Sequence, residues 1–374
     1  MNPLTIIPFV LYISTVLSQP LMVATQNRVD LSRFRQLVLN NPGPSRVLIT
    51  QTQDPPSQQR TLLIPNNAAF AAYEAKYGRP VESTPQTILS ALLAYHTLNG
   101  PLTDIQLSQP GGLSAPSSLI DTTYNQRIPA LQMPGPKDGQ VVLLTQVAGL
   151  GRFSKRGQMN PLYAQSGLGD QVGVETTGYD WDGGRWHVVD GFLTLPITCS
   201  RTMAAVNLSR LLASLNRASL IRELDTAVNV TYLAPYDKAF SGINSSYPLD
   251  DLRNDLRFHI LNGSQYSTEL KDGQTFTSLQ GGEVKVTKTG GDLYFNGVKA
   301  VAQDVITNNG VMHVLSKMME QLNSTNSTDH TIEGKNSTPT TGPVPTFTAS
   351  GTRSVVDGML VAAVVAVGVW VGLV

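Results

Sequence analysis

Apolar positions along this chain fall into helical and strand periodicities, and each pattern occurs twice. TLLIP (61–65) and TYLAP (231–235) are short apolar β runs ended by proline. Asn67 and Asp237 follow where a helix N-cap would stand, and Phe70 and Phe240, three residues on, would face the core. Each run therefore predicts a strand entering a capped helix. Thr84 and Pro85 fit an N-cap and a first helical position, after which Ile88, Leu89, Leu92, Leu93 and His96 share one face. Leu249, Leu252, Leu256 and His259 repeat that face, and Asn99-Gly100 and Asn262-Gly263 would close the two helices. Two later segments have period two. Trp186 and Val188, like Met312 and Val314, point one way, while His187 and Val189, like His313 and Leu315, point the other. Residues 275–279, 283–289, 292–295 and 298–301 read as further strands joined by Gly-rich turns.

The recurrences keep one order. DLSRF (30–34) returns as NLSRL (207–211), TLLIPNNAAF (61–70) as VTYLAPYDKAF (230–240), AYHTLNG (94–100) as RFHILNG (257–263), and RWHVVDG (185–191) as VMHVLSK (311–317). The chain is a tandem duplication. Between its third and fourth blocks the first copy is longer by about 37 residues, rich in Gly and Pro, which predicts a surface loop insertion within 100–184. Helices at the start of each copy and strands at its end give an α+β fold.

The 374 residues carry 27 basic and 27 acidic side chains, so a nucleic-acid partner recruited by net charge is not expected. With 41% apolar residues the chain can build a sizeable core, and one cysteine, Cys199, leaves stability to packing. Residues 1–18 form an uncharged apolar stretch with small residues at its end, the pattern of a secretory signal peptide, cleaved there or as late as residue 25. At the other end, 359–374 is apolar and uncharged, preceded by a short polar spacer and the small residues Ala349, Ser350, Gly351 and Thr352. That order is the signal for a glycosylphosphatidylinositol (GPI) anchor attached at Ser350, with a retained transmembrane helix as the alternative. Residues 323–353 are a Ser/Thr/Asn/Pro-rich stalk. N-glycosylation sequons stand at Asn207, Asn229, Asn244, Asn262, Asn323, Asn326 and Asn336, none of them in the first copy.

Four of the five histidines form repeat-equivalent pairs, His96 with His259 and His187 with His313. Each sits in an apolar setting, which favours a buried hydrogen-bonding role over catalysis or metal ligation. No G-x-S-x-G, H-E-x-x-H or glycine-rich phosphate loop occurs. No catalytic, cofactor or metal residue is therefore assigned. Asp190, Asp237 and Asp304 read as capping or turn residues, and Cys199 as a buried free thiol between domains. His330 falls in the stalk.

TLLIPNNAAF and TYLAPYDKAF resemble the fasciclin-family motif T-x-F-A-P-x-N/D-x-A-F, and AYHTLNG and RFHILNG its Tyr-His motif, with Phe258 replacing tyrosine. RWHVVDGFLTLP and NGVMHVLSKMM resemble its closing motif, although the first copy has Gly183-Gly184-Arg185 in place of the Asn-Gly opening, and the second lacks the Asp and final Pro. The resemblance implies two tandem domains, 29–198 and 200–322, each a wedge-shaped β-sandwich with helices packed at one side, followed by the stalk and by 354–374 as anchor spacer and tail. It also implies adhesion rather than chemistry. In animal relatives an Asp-Ile pair and the Tyr-His segment are implicated in integrin recognition, which maps onto Asp304, Val305, Ile306, Tyr95, His96, Phe258 and His259 here. The sequence thus points to a surface adhesion protein that contacts cell-surface or matrix proteins or glycans, sits at the membrane through a lipid anchor, and can self-associate. The alternative is a receptor or carrier for a small apolar or glycan ligand at the first-domain insertion, with Tyr124, Tyr163, Tyr179, Trp181 and Trp186 as a stacking surface.

Overall fold

The computed structural model describes residues 20–48, 59–107, 109–127, 138–146 and 161–320. The signal segment, stalk and tail, with Asn323, Asn326, Asn336, His330 and Ser350, lie outside them.

The first copy runs α1 (Leu21–Ala24), α2 (Ser32–Asn40), β1 (Arg60–Pro65), α3 (Asn67–Tyr77), α4 (Gln86–Tyr95), β2 (Thr97–Asn99), α5 (Asp104–Leu107), β3 (Leu113–Pro116), β4 (Val141–Gln146), β5 (Leu162–Gln165), β6 (Gln171–Trp181) and β7 (Gly184–Val189). The second runs α6 (Cys199–Ala205), α7 (Ser209–Arg217), α8 (Ile221–Thr226), β8 (Val230–Pro235), a 3-10 turn (Asp237–Phe240), α9 (Leu249–Phe258), β9 (Ile260–Asn262), β10 (Thr275–Thr277), β11 (Glu283–Thr289), β12 (Asp292–Phe295), β13 (Val298–Thr307) and β14 (Gly310–Leu315). The sheet orders, β2-β1-β7-β6-β5-β4-β3 and β9-β8-β14-β13-β12-β11-β10, are the same topology twice. In each copy the first long strand pairs in parallel with the last, β1 with β7 and β8 with β14. Single bridges, Leu98 to Ser117 and Leu261 to Ser278, tie the two ends of each sheet together. Each sandwich is thus one seven-stranded sheet curled on itself.

Strands in a parallel pair covered on both faces must be apolar on both. Leu62, Ile64, Trp186 and Val188 pack under the helices, while Leu63 and Val189 face the interior of the curled sheet. Tyr232, Ala234, Met312 and Val314 repeat the helix-side layer, and Leu233 and Leu315 the interior one. The alternation predicted for the closing strands is the one observed.

Several local expectations are corrected. The cap of α3 is Asn66, whose Oδ1 accepts from the Ala69 N–H at 2.8 Å. Asn67 caps the preceding helix instead, its Oδ1 accepting from the Arg33 N–H of α2 at 3.1 Å and its Nδ2 donating to Ser32 Oγ at 3.0 Å. Asp237 does the same for α7, accepting from Arg210 N–H at 3.0 Å and Ser209 Oγ at 2.7 Å. Neither α2 nor α7 has a cap of its own, so the residue two positions past each first strand supplies it. Helix α4 begins at Gln86 after Pro85, without a side-chain cap from Thr84. Asn99 and Asn262 end β2 and β9 rather than helices, and Gly100 and Gly263 turn the chain there at φ +92° and +83°. Leu249 is 39% exposed, outside the buried face of α9. The surplus of the first copy is not one loop, because β3 to β6 answer β10 to β13, and the extra residues fall in their connections.

Candidate functional site

The paired histidines are clamps. His96 Nδ1 lies 2.9 Å from the Leu92 carbonyl and His259 Nδ1 2.7 Å from that of Asp255, one helical turn back. A carbonyl can only accept, so Nδ1 carries the proton. Nε2 then accepts, from Leu193 N–H at 3.1 Å in the first copy and from Met319 N–H at 2.8 Å in the second. Each ring thereby fastens the segment after the closing strand to the end of the helix. Burial pulls the affinity of both rings for a second proton down, from 6.5 to about 4, and that proton would also break the bond at Nε2.

His313 bonds the Gln265 carbonyl through Nε2 at 2.9 Å and accepts from Asp304 N–H at Nδ1 at 3.3 Å. Asp304 sits in a β-bulge of β13 at φ +59°, with Oδ1 accepting from Ser267 N–H at 2.8 Å and Oδ2 from the Ser267 hydroxyl. Its carboxylate therefore fixes the 267 turn. The register pairs Val305 with Met312 and Tyr179 with Trp186, which makes Gly178 the first-copy counterpart of Asp304, at φ +60°. A glycine in the equivalent left-handed bulge was the sequence signal for this match. A Cβ at Gly178 would lie 3.3 Å from Asp104 Oδ2 and 3.5 Å from Arg185 Nη2, so an ion pair fills the place of the missing carboxylate. His187 has no hydrogen bond of good geometry at either ring nitrogen, its approach to the Leu102 carbonyl being marginal. Burial lowers its pKa to about 4.

The structure brings Asp304, Val305 and Ile306 together at the junction of the two copies. Gln165 Nε2 donates to the Gln303 and Asp304 carbonyls at 3.0 and 2.7 Å, and Gly167 bridges to Ile306. Ile306, Val311 and Tyr266 pack against Val141 and Leu143 of β4. All seven proposed adhesion residues are buried, Asp304 at 3%, Val305 at 5% and Tyr95, His96, Phe258, His259 and Ile306 at no more than 3%. Tyr95 uses its hydroxyl to bond the Val141 carbonyl at 2.9 Å.

The five aromatics of the first copy do not form one open surface. Trp181, Trp186 and Tyr124 are buried and Tyr163 half-buried, while Tyr179, 44% exposed, stacks on Trp186 with ring centroids 4.5 Å apart. Cys199 packs with Met203 inside the second domain rather than between domains, and burial raises its thiol pKa. Asp190 accepts from Gly173 N–H at 2.7 Å. Asn207, Asn229, Asn244 and Asn262 are all exposed, and all lie on the second domain. Among the described residues no group of three His, Cys, Asp or Glu is placed to hold a metal ion, and no helix is long and apolar enough to cross a membrane.

The family model described as the fasciclin domain matches residues 206–321. The chain is 28% identical to the fasciclin-like arabinogalactan protein elcF of Phaeosphaeria nodorum over 69% of this chain and 77% of that protein. It is 25% identical to a fasciclin-like arabinogalactan protein of Arthroderma benhamiae over 74% and 62%, and 29% identical to periostin of Homo sapiens over 36% and 17%. A solved domain pair from the insect cell adhesion molecule fasciclin I aligns at 15% identity over 78% of this chain and 97% of that one, with a TM-score of 0.34.

Proposed function

We propose that this chain is a fasciclin-domain protein of the adhesion type, a non-enzymatic surface protein held by a lipid anchor that contacts neighbouring cells, wall glycans or matrix; the match of residues 206–321 to the fasciclin domain and the fungal fasciclin-like relatives support that reading. The observation that carries this reading is the repeated module set before a Ser/Thr-rich segment and an uncharged apolar stretch. The state of the histidines supports a scaffold, since three rings are spent on backbone hydrogen bonds and the fourth is buried. The seven buried candidate residues then act as framework, and contact falls to outward faces, with the sequon-free first domain the less glycan-covered of the two. Phosphatidylinositol-specific phospholipase C should release the protein from intact cells, and a deletion strain should aggregate less than wild type. Retention after phospholipase, with secretion on deleting 359–374, would make that stretch a true span. Unchanged aggregation would count against adhesion. A second reading, a receptor for a small ligand at the first-domain insertion, is favoured by the cleft that the insertion forms with the second domain.

A further inference from the structure

The junction leaves an open cleft of about 540 Å³ between β3, β4 and their connection in the first domain and the loop after β9 in the second. That volume lies within the roughly 300–1,000 Å³ of small-molecule sites. Ser114 and Arg127 line it from the first domain, and Ser264, Gln265, Tyr266, Glu269 and the sequon residue Asn229 from the second.

Arg127 is the unusual group. Its backbone is set by Asn125, whose Oδ1 accepts from Arg127 N–H at 3.3 Å, and Asn125 is itself buried and bonded to the Leu119 and Asp138 carbonyls. Nη1 donates to the Gly139 carbonyl at 3.1 Å, and the guanidinium carbon stands 5.9 Å from the Tyr266 ring centroid. Nε is buried, closed to solvent, and has no acceptor among the described residues. Among the described residues no carboxylate lies within ion-pair distance of this guanidinium, in contrast to Arg28, Arg33 and Arg185, each of which has one. Glu269, the one acid lining the cleft, is exposed and takes a hydrogen bond from the Ser114 hydroxyl. A half-buried cation held in place with no carboxylate beside it is a seat for an anion, and a guanidinium on a fixed stem suits a planar carboxylate. Around it, Ser264 and Gln265 offer hydroxyl and amide groups of the kind that bond a polyol.

We propose that this inter-domain cleft binds a carboxylate-bearing sugar, with Arg127 receiving the carboxylate and the second-domain loop receiving ring hydroxyls. The proposal rests on the receptor reading of the insertion and not on the lipid anchor. The two domains each supply half of the site, so the ligand reads their junction.

The test is calorimetric titration of the full chain, made without its apolar tail and with its N-glycans removed, with a glucuronate-containing disaccharide and with its methyl ester. The ester keeps the sugar and loses the charge. The acid should bind at least tenfold more tightly, and its affinity should fall as salt rises. Arg127→Gln should abolish that preference while melting like wild type, and Arg127→Lys should keep part of it. Equal affinity for acid and ester would leave a receptor and overturn acid recognition. No binding of either up to about 10 mM would overturn both. Acetate binding as tightly as the disaccharide would overturn the sugar assignment, and an acid preference unchanged in folded Arg127→Gln would place the carboxylate elsewhere.

Discussion

A neutral imidazole that accepts a backbone N–H is a pH-dependent fastener. His96 and His259, and His187 through burial without such a bond, protonate only near pH 4 in the fold but near 6.5 when unfolded. The unfolded chain therefore binds more protons between those values, so the stability these rings contribute is present above pH 6.5 and lost as pH falls toward 4. The slope reaches about 1.4 kcal/mol per pH unit for each ring. Urea unfolding at pH 7, 5.5 and 4.5 should show that decline, and His259→Gln should flatten it at a cost in stability at pH 7. Asp304 offers a second measurement at this scale. Asp304→Ala removes two bonds to Ser267 and leaves a residue ill-suited to φ +59°, a loss of about 3 kcal/mol. Asp304→Asn, which tolerates that backbone and keeps an acceptor, should lose less; equal losses would mean the carboxylate does not hold the turn. The burial of the histidines was legible because each lies on an apolar face. The capping partners of Asn67 and Asp237 were not, because they lie 34 and 27 positions upstream and no local pattern marks them.

At the scale of elements, runs apolar on both faces and ended by proline announced β1 and β8, and alternation announced β7 and β14. Their pairing could not be read, since parallel partners in this fold come from opposite ends of each copy. One glycine per copy makes the pairing close. A Cβ at Gly310 would stand 1.8 Å from the Val230 carbonyl oxygen, and one at Gly184 2.1 Å from that of Arg60. The glycine of the closing motif is thus present in both copies even where the asparagine before it is missing. Asn309 adds a brace in the second copy, its Nδ2 donating to the Leu224 and Ala227 carbonyls at 2.8 and 3.0 Å. Gly310→Ala should cost about 3 kcal/mol or prevent folding. Gly291→Ala, at φ +90° with open space around it, should cost only about 1 kcal/mol. Thermal melts of the two variants would settle whether close approach, rather than backbone freedom, fixes Gly310.

Over the whole molecule the two domains are docked rather than strung. Gln140 Nε2 donates to the Tyr124 and Thr307 carbonyls at 2.8 and 3.0 Å, Gln165 caps the β13 bulge, and an apolar cluster of five residues spans the boundary. Calorimetry of wild type should give one transition, and the double variant Gln140→Ala/Gln165→Ala should split it into two. A single transition in the variant would mean that the apolar cluster suffices. The repeat made the domain count legible, but the junction sets β4, β5 and the β3–β4 connection of one copy against β13 and the loop after β9 of the other, and that contact between unlike segments is not marked by the duplication.

The place of β14 in its sheet has a mechanical consequence. Among the described residues only 316–320 follow this strand, held by Met319 N–H on His259 Nε2, so a tether attached beyond Glu320 would load that clamp and then the strand. The strand is flanked on both sides, by β13 and by β8. Force along it must shear two ladders at once, one antiparallel and one parallel, instead of peeling an edge one bond at a time. Forced unfolding is governed by the rate of barrier crossing rather than by equilibrium stability. Stretching from this end should meet a high-force rupture at this strand, and weakening the β8–β14 contact should lower it, which makes the last strand of the second sheet the part of the domain that bears the load.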